Sequence, residues 1–206
     1  FGVGLAGGGD WNDDGFDDLV ISASFGPAPL DGRFVALFLG SPEGIAPDAV
    51  GGIADPSGDW SALFGLGFAW GPSDCGVTCM PLVATIRGFD STDGPLTVRD
   101  AGAIVGLVPG VVSTDVAVAG GLLSVDEPSE NAWFGYSVTW VRDFDGNGRP
   151  ELAIGAPVQD VGGGQRGAVF LFEWSGMGWE AAARGRLTDP TGELLSGFGE
   201  GVSGGV

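Results

Sequence analysis

The sequence predicts an all-β fold, and three observations predict it. Glycine supplies 41 of 206 residues, far above the average of roughly 7%, and follows no three-residue period, which excludes collagen. The glycines lie among β-prone runs such as Arg33-Phe34-Val35-Ala36-Leu37-Phe38-Leu39. With 44% of residues hydrophobic, such runs exclude disorder, and glycine at strand ends, bulges and tight turns suits many antiparallel strands. The third observation is an internal repeat of about 65 residues whose strand patterns recur in one order.

The repeat opens on Phe-Gly, at Phe1-Gly2, Phe64-Gly65, Phe134-Gly135 and Phe198-Gly199. Each pair is read as opening an alternating strand: Phe1, Val3, Leu5; then Phe64, Leu66, Phe68; then Phe134, Tyr136, Val138. Period two with one apolar face means a half-buried strand. A second strand follows at Asp18 to Ala23, Pro81 to Thr85 and Glu151 to Pro157. A third begins with glycine two places before an apolar residue, at Gly32, Gly102 and Gly167. An acid-proline turn, at Asp55-Pro56, Glu127-Pro128 and Asp189-Pro190, precedes each new Phe-Gly. Four marks in one order, three times over, count against a sandwich with coincidental Phe-Gly pairs.

The chain thus divides into repeats at residues 1–63, 64–133 and 134–197, with 198–206 as the first strand of a fourth. Three clear strands and room for another make each repeat a propeller blade. A closed propeller needs about four to eight blades, so three are expected to close only with further sequence or other subunits. Their unpaired edges invite strand addition.

Against 27 acidic residues stand eight basic ones, all arginine, for a net charge of −19. That charge repels phosphate backbones and anionic lipid, so no nucleic-acid partner and no membrane insertion are expected. The apolar stretch Ala101 to Val125 is interrupted by Gly102, Gly106, Pro109, Gly110 and Asp115, and reads as successive strands, not a span. Histidine is absent, which removes the usual general acid–base side chain and any Ser-His-Asp or Cys-His arrangement. No enzyme is expected.

Between first and second strands, repeat one carries Asp10-Trp11-Asn12-Asp13-Asp14-Gly15-Phe16-Asp17-Asp18. Repeat three carries Asp143-Phe144-Asp145-Gly146-Asn147-Gly148-Arg149-Pro150-Glu151. Both set oxygen side chains at positions 1, 3, 5 and 9, with glycine at 6 for the sharp turn. Ca²⁺ is a hard cation that takes six to eight oxygens, whereas Mg²⁺ seldom uses an all-protein cage. An acidic turn whose Asp and Asn bond only their own backbone is the plainer alternative, and two copies at matching places count against it. An EF-hand would need Glu at position 12 and flanking helices; here position 12 is Ile21 or Ile154.

Phe-Gly, the nine-residue Asp/Asn loop and Leu152-Ala153-Ile154-Gly155-Ala156-Pro157 together resemble the FG-GAP repeat of integrin α heads and of many bacterial surface proteins. The resemblance implies a β-propeller with two Ca²⁺ sites in blade hairpins. The implied ligands are Asp10, Asn12, Asp14, the Phe16 carbonyl and Asp18, then Asp143, Asp145, Asn147, the Arg149 carbonyl and Glu151. Glu151 departs from the usual aspartate at position 9.

In repeat two the stretch Ser73-Asp74-Cys75-Gly76-Val77-Thr78-Cys79 lacks the ligand series. No metal is expected there, and the two cysteines suggest a Cys75–Cys79 disulfide closing the loop, against the alternative of two buried thiols.

The expected role is an extracellular or cell-surface, calcium-binding module for adhesion, with a protein or glycan as partner, or copies of itself. Two other readings stand beside it: a structural subunit assembling by strand exchange, and an accessory or catalytic propeller of a carbohydrate-active enzyme. The seven tryptophans could include a sugar platform, but more often such residues fill blade interfaces.

Overall fold

The computed structural model describes residues 1–23, 33–58, 62–72, 82–91, 97–110, 116–176, 178–180 and 183–204. Within these, twelve strands form three four-stranded antiparallel sheets. The first sheet holds β1 (Leu5–Gly9), β2 (Asp18–Ala23), β3 (Phe34–Phe38) and β4 (Gly51–Ala54), in that order. The second holds β5 (Leu63–Trp70), β6 (Leu82–Arg87), β7 (Ala103–Pro109) and β8 (Val116–Leu123). The third holds β9 (Ser137–Val141), β10 (Glu151–Ala156), β11 (Ala168–Glu173) and β12 (Gly185–Thr188). These are propeller blades, each a meander. First strands neighbour one another, β1 beside β5 and β5 beside β9, but among the described residues β1 and β9 do not meet. The propeller is open.

Strand alternation decides which neighbour each side chain touches. On β6 and β7, Leu82, Ala84, Ile86, Ala103, Val105 and Leu107 pack on Trp11, Val20, Val35 and Leu37 of the first blade. Their alternates Val83 and Ile104 face the third blade, joining Leu152, Ile154, Phe170 and Phe172. Both faces of the second blade are therefore apolar, and its middle strands read as continuous runs. The far face of the third blade, Ala153, Val169 and Leu171, is covered by Phe198 and Val202.

The Phe-Gly pair lies at the start of a strand only in the second blade, where β5 takes in Phe64 and Gly65, and even there burial does not alternate as the sequence suggests. The glycines Gly2, Gly65, Gly135 and Gly199 all take φ between 75° and 96°, a region in which a β-carbon is strained. The chain therefore kinks there. Strands β1 and β9 begin only at Leu5 and Ser137, and the register of β5 on β6 shifts between Phe64 and Phe68. Phe1, Val3 and Leu5 are all exposed. Phe64 and Phe134 are instead buried plugs set against the preceding blade.

At the two described joints of this kind, the glycine that heads the third strand meets the phenylalanine of the next repeat. A β-carbon at Gly102 would collide with the Phe134 carbonyl, and one at Gly167 with the Phe198 carbonyl. Hydroxyls also lock the Phe-Gly segments, with Ser22 Oγ donating to the Gly65 carbonyl at 2.6 Å and Ser137 Oγ to that of Gly199 at 2.9 Å. Arg87 donates to the Tyr136 carbonyl and lies 4.0 Å from the centre of its ring.

The outermost strands β4, β8 and β12 fill the room left for a fourth. The Ala101 to Val125 stretch is an antiparallel pair, β7 on β8. Among the described residues there is no helix long and apolar enough to cross a membrane. Trp11, Trp70, Trp140, Trp174 and Trp179 pack at the two blade interfaces, whereas Trp133 is 40% exposed and stacks on Tyr136. Cys75 and Cys79 lie outside the described residues.

Candidate metal centre

The two acidic loops share one hydrogen-bond skeleton. The carboxylate at position 1 accepts from the N–H at position 6: Asp10 from Gly15 at 2.7 Å, Asp143 from Gly148 at 2.8 Å. Position 3 accepts from position 5, as Asn12 from Asp14 at 3.3 Å and Asp145 from Asn147 at 3.0 Å. Position 5 accepts from position 7, as Asp14 from Phe16 at 3.0 Å and Asn147 from Arg149 at 2.8 Å. Position 9 closes the loop on position 2, as Asp18 on the Trp11 N–H at 2.6 Å and Glu151 on that of Phe144 at 2.7 Å.

These bonds turn the side chains at alternate positions inward. The turn also needs left-handed backbone at positions 4 and 6: Asp13 and Gly15 in the first loop (φ 57° and 90°), Gly146 and Gly148 in the third (φ 79° and 86°). Position 9 is the first residue of β2 or β10. It is buried at the head of the strand, with Asp18 and Glu151 each 1% exposed.

At position 9 the loops diverge. In the first loop, the second oxygen of Asp18 accepts from the Gly40 N–H at 2.7 Å, so both oxygens are used. In the third, Glu151 Oε1 is buried with no hydrogen-bond partner, a costly state for a carboxylate. Carboxylate oxygens of Asp143, Asp145 and Glu151 lie within 4.8 Å of one another, close enough to share one cation. Asp10, Asp14 and Asp18 are not gathered to that limit among the described residues.

Burial holds the Glu151 carboxyl above its ordinary 4.5, against the Phe144 N–H, and the charges of Asp145, Asp143 and Glu173 raise it further. Asp18 is likewise raised by burial, with Gly40 and Trp11 pulling it down and Asp10 and Asp14 pushing it up. A carboxyl raised in the folded state stabilises fully below its unfolded pKa, and that contribution is lost as pH rises through the folded value. In chelator, the melting temperature of the native chain should therefore fall relative to that of Glu151→Gln as pH rises through a window that opens at the ordinary glutamate value of about 4.3. Parallel melting curves across that window would refute this.

Sequence reasoning missed Glu173. This residue ends β11, faces Glu151 across the β10–β11 ladder and is itself 1% exposed. Its oxygens take Arg149 at 2.7 Å, Arg184 at 2.9 Å and the Asn147 side-chain nitrogen at 2.8 Å. Burial opposes its ionisation, but the Arg149 and Asn147 hydrogen bonds and the two guanidinium charges prevail and hold its carboxyl below the ordinary range. One signal was available: a lone acid closing the apolar run Ala168-Val169-Phe170-Leu171-Phe172-Glu173.

Residues 134–172 match the family model of the FG-GAP repeat. That span runs from the Phe134 plug through the acidic loop and β10 into β11. No curated protein matches the chain.

Proposed function

We propose that this FG-GAP repeat chain is an extracellular calcium-binding propeller module whose blades present a surface to a protein or glycan partner. The observation that carries the calcium part is the buried Glu151 carboxylate, which has one oxygen without a partner and is gathered with the carboxylates of Asp143 and Asp145. Such an anion is stable only if a cation or proton reaches it. The donor set is all oxygen: three carboxylates, the Asn147 amide oxygen and the Arg149 carbonyl. A hard cation of flexible coordination suits it, which favours Ca²⁺ over Mg²⁺. The first loop, with Asp10, Asn12, Asp14, the Phe16 carbonyl and Asp18, offers a second site on the same skeleton. With neither His nor Lys in the chain, binding is favoured over catalysis.

Calorimetric titration of chelator-treated protein with calcium tests the reading. Two sites are expected; Asp145→Ala should remove the third-blade site and Asp14→Ala the first-blade site, each leaving the other. No binding heat at millimolar calcium would return both loops to ordinary acidic turns.

A second reading draws on Phe1, Val3 and Leu5, exposed where the corresponding Phe64 and Phe134 are buried. Further blades, from this or another chain, would cover that face, and the mass in solution with and without calcium tests for a partner copy.

A further inference from the structure

Among the oxygen-bearing positions the loops differ at 3, 5 and 9 (Asn12, Asp14 and Asp18 against Asp145, Asn147 and Glu151), and also at the residue that faces position 9. The change at position 5 and the change at the facing residue are matched. The first loop has Asp14 at position 5. Continuing the β2–β3 register one residue beyond the Leu19–Phe38 pair places Leu39 opposite Asp18. The third loop has Asn147 at position 5, and Glu173 opposite Glu151.

We propose that Glu173 is a positioning residue for the third-blade loop: it grips the Asn147 amide by its nitrogen, so that the amide oxygen is presented within the loop. The inference rests on the calcium reading above. A carboxylate can only accept and a backbone N–H can only donate. Glu173 Oε2 at 2.8 Å from the Asn147 nitrogen, and the Arg149 N–H at 2.8 Å from the Asn147 oxygen, therefore dictate one orientation of the amide. A flipped amide would set a donor toward the ion and an oxygen against Glu173.

Two carboxylates directly opposite on a ladder repel, and Arg149 and Arg184 offset that repulsion on the Glu173 side. Arg149 is held by its side chain to Glu173 while its carbonyl stands at position 7, so one buried acid orients two consecutive odd positions of the loop. An aspartate at position 5 has no nitrogen to be gripped. The first loop carries its amide at position 3 instead, where the Asn12 nitrogen donates to Asp14 at 2.9 Å, and Leu39 faces position 9.

The test is calcium titration of the full chain in an Asp14→Ala background, which isolates the third loop. Glu173→Leu should weaken calcium there ~10-fold or more, the usual reach of an outer-shell partner, and the isosteric Glu173→Gln should weaken it less. Adding Asn147→Asp to Glu173→Leu gives the position-5 acid and apolar facing residue of the first loop, and should raise affinity by more than Asn147→Asp alone adds to the parent, since a new carboxylate ligand strengthens calcium by itself. A merely structural role for Glu173 would not produce that excess. Affinity within twofold of the parent in Glu173→Leu, or no such excess in the double variant, would overturn the proposal. If Glu173→Leu does not fold, Glu173→Gln decides alone: weaker calcium binding than the parent supports the proposal and affinity equal to the parent's overturns it. Absence of binding in the Asp14→Ala parent would instead overturn the calcium reading, so the two failures are distinct.

Discussion

Phe134→Ala is expected to destabilise the chain by about 3–5 kcal/mol, the range for removing a fully buried phenylalanine. The ring is 0% exposed and meets Phe170 and Phe172 edge-on, at centroid distances of 5.7 and 6.0 Å. It belongs to one buried cluster with Ile104 and Val83 of the second blade and Ile154 of the third. The loss therefore falls on the joint between two blades, where relaxation is limited because both backbones are fixed by their own ladders. Phe1→Ala, at the same repeat position, removes a ring that is 70% exposed and should change stability by no more than about 0.5 kcal/mol. Denaturant midpoints for the two variants check the contrast. Equal shifts would mean that the repeated phenylalanine does not act as an inter-blade plug.

That joint was half legible in the sequence. Phe-Gly and the glycine before the third strand were both visible as marks, yet nothing in their spacing says that one is the plug and the other its seat. The contact runs between successive repeats, Phe134 on Gly102 and Phe198 on Gly167, and a period counted along one repeat cannot reveal it. The same blindness put Phe1, Val3 and Leu5 on one strand face. Alternation in residue type is blind to a left-handed glycine at the second position, which breaks the pleat ahead of β1 and β9 and within the start of β5.

The middle strands were readable because they are continuous apolar runs. Two of the outer ones, β4 and β12, were not. Gly51–Ala54 and Gly185–Thr188 are four residues each, without a buried face of their own, so neither period nor composition marks them.

The acidic loops were legible in skeleton, since alternation of oxygen side chains and glycine at position 6 follow from how a tight turn points its side chains. Their inequality was not. Whether the second oxygen of the position-9 carboxylate finds an N–H depends on the backbone entering from β3 or β11: Gly40 supplies it to Asp18, whereas Glu173 stands opposite Glu151. Side-chain length also contributes, because Glu151 carries one methylene more than Asp18 before its carboxylate.

Calcium is expected to reverse the stability order of the native chain and its Glu151→Gln variant. Without metal, the native chain keeps at neutral pH a buried carboxylate with one unpartnered oxygen beside Asp143, Asp145 and Glu173. The amide introduced by Glu151→Gln carries no charge, and its nitrogen can donate to a neighbouring aspartate, so in chelator the variant should melt higher. With calcium the native oxygen becomes a ligand and binding stabilises the folded state by mass action. Taking a dissociation constant of ~10⁻⁴ M, at the tight end for extracellular modules, calcium at 100 times that value contributes about 2.7 kcal/mol per site. In a chain of this length that is roughly 2–4 °C per kcal/mol, or a rise of roughly 5–10 °C. Glu151→Gln should lose the third-blade share of this rise and fall below the native chain. Magnesium at equal concentration should reproduce little of it, since it resists the dehydration such a cage demands, and sodium at matched ionic strength separates screening of the −19 net charge from site binding. Melting curves that keep one order with and without calcium would show that the Glu151 oxygen is not where the ion binds.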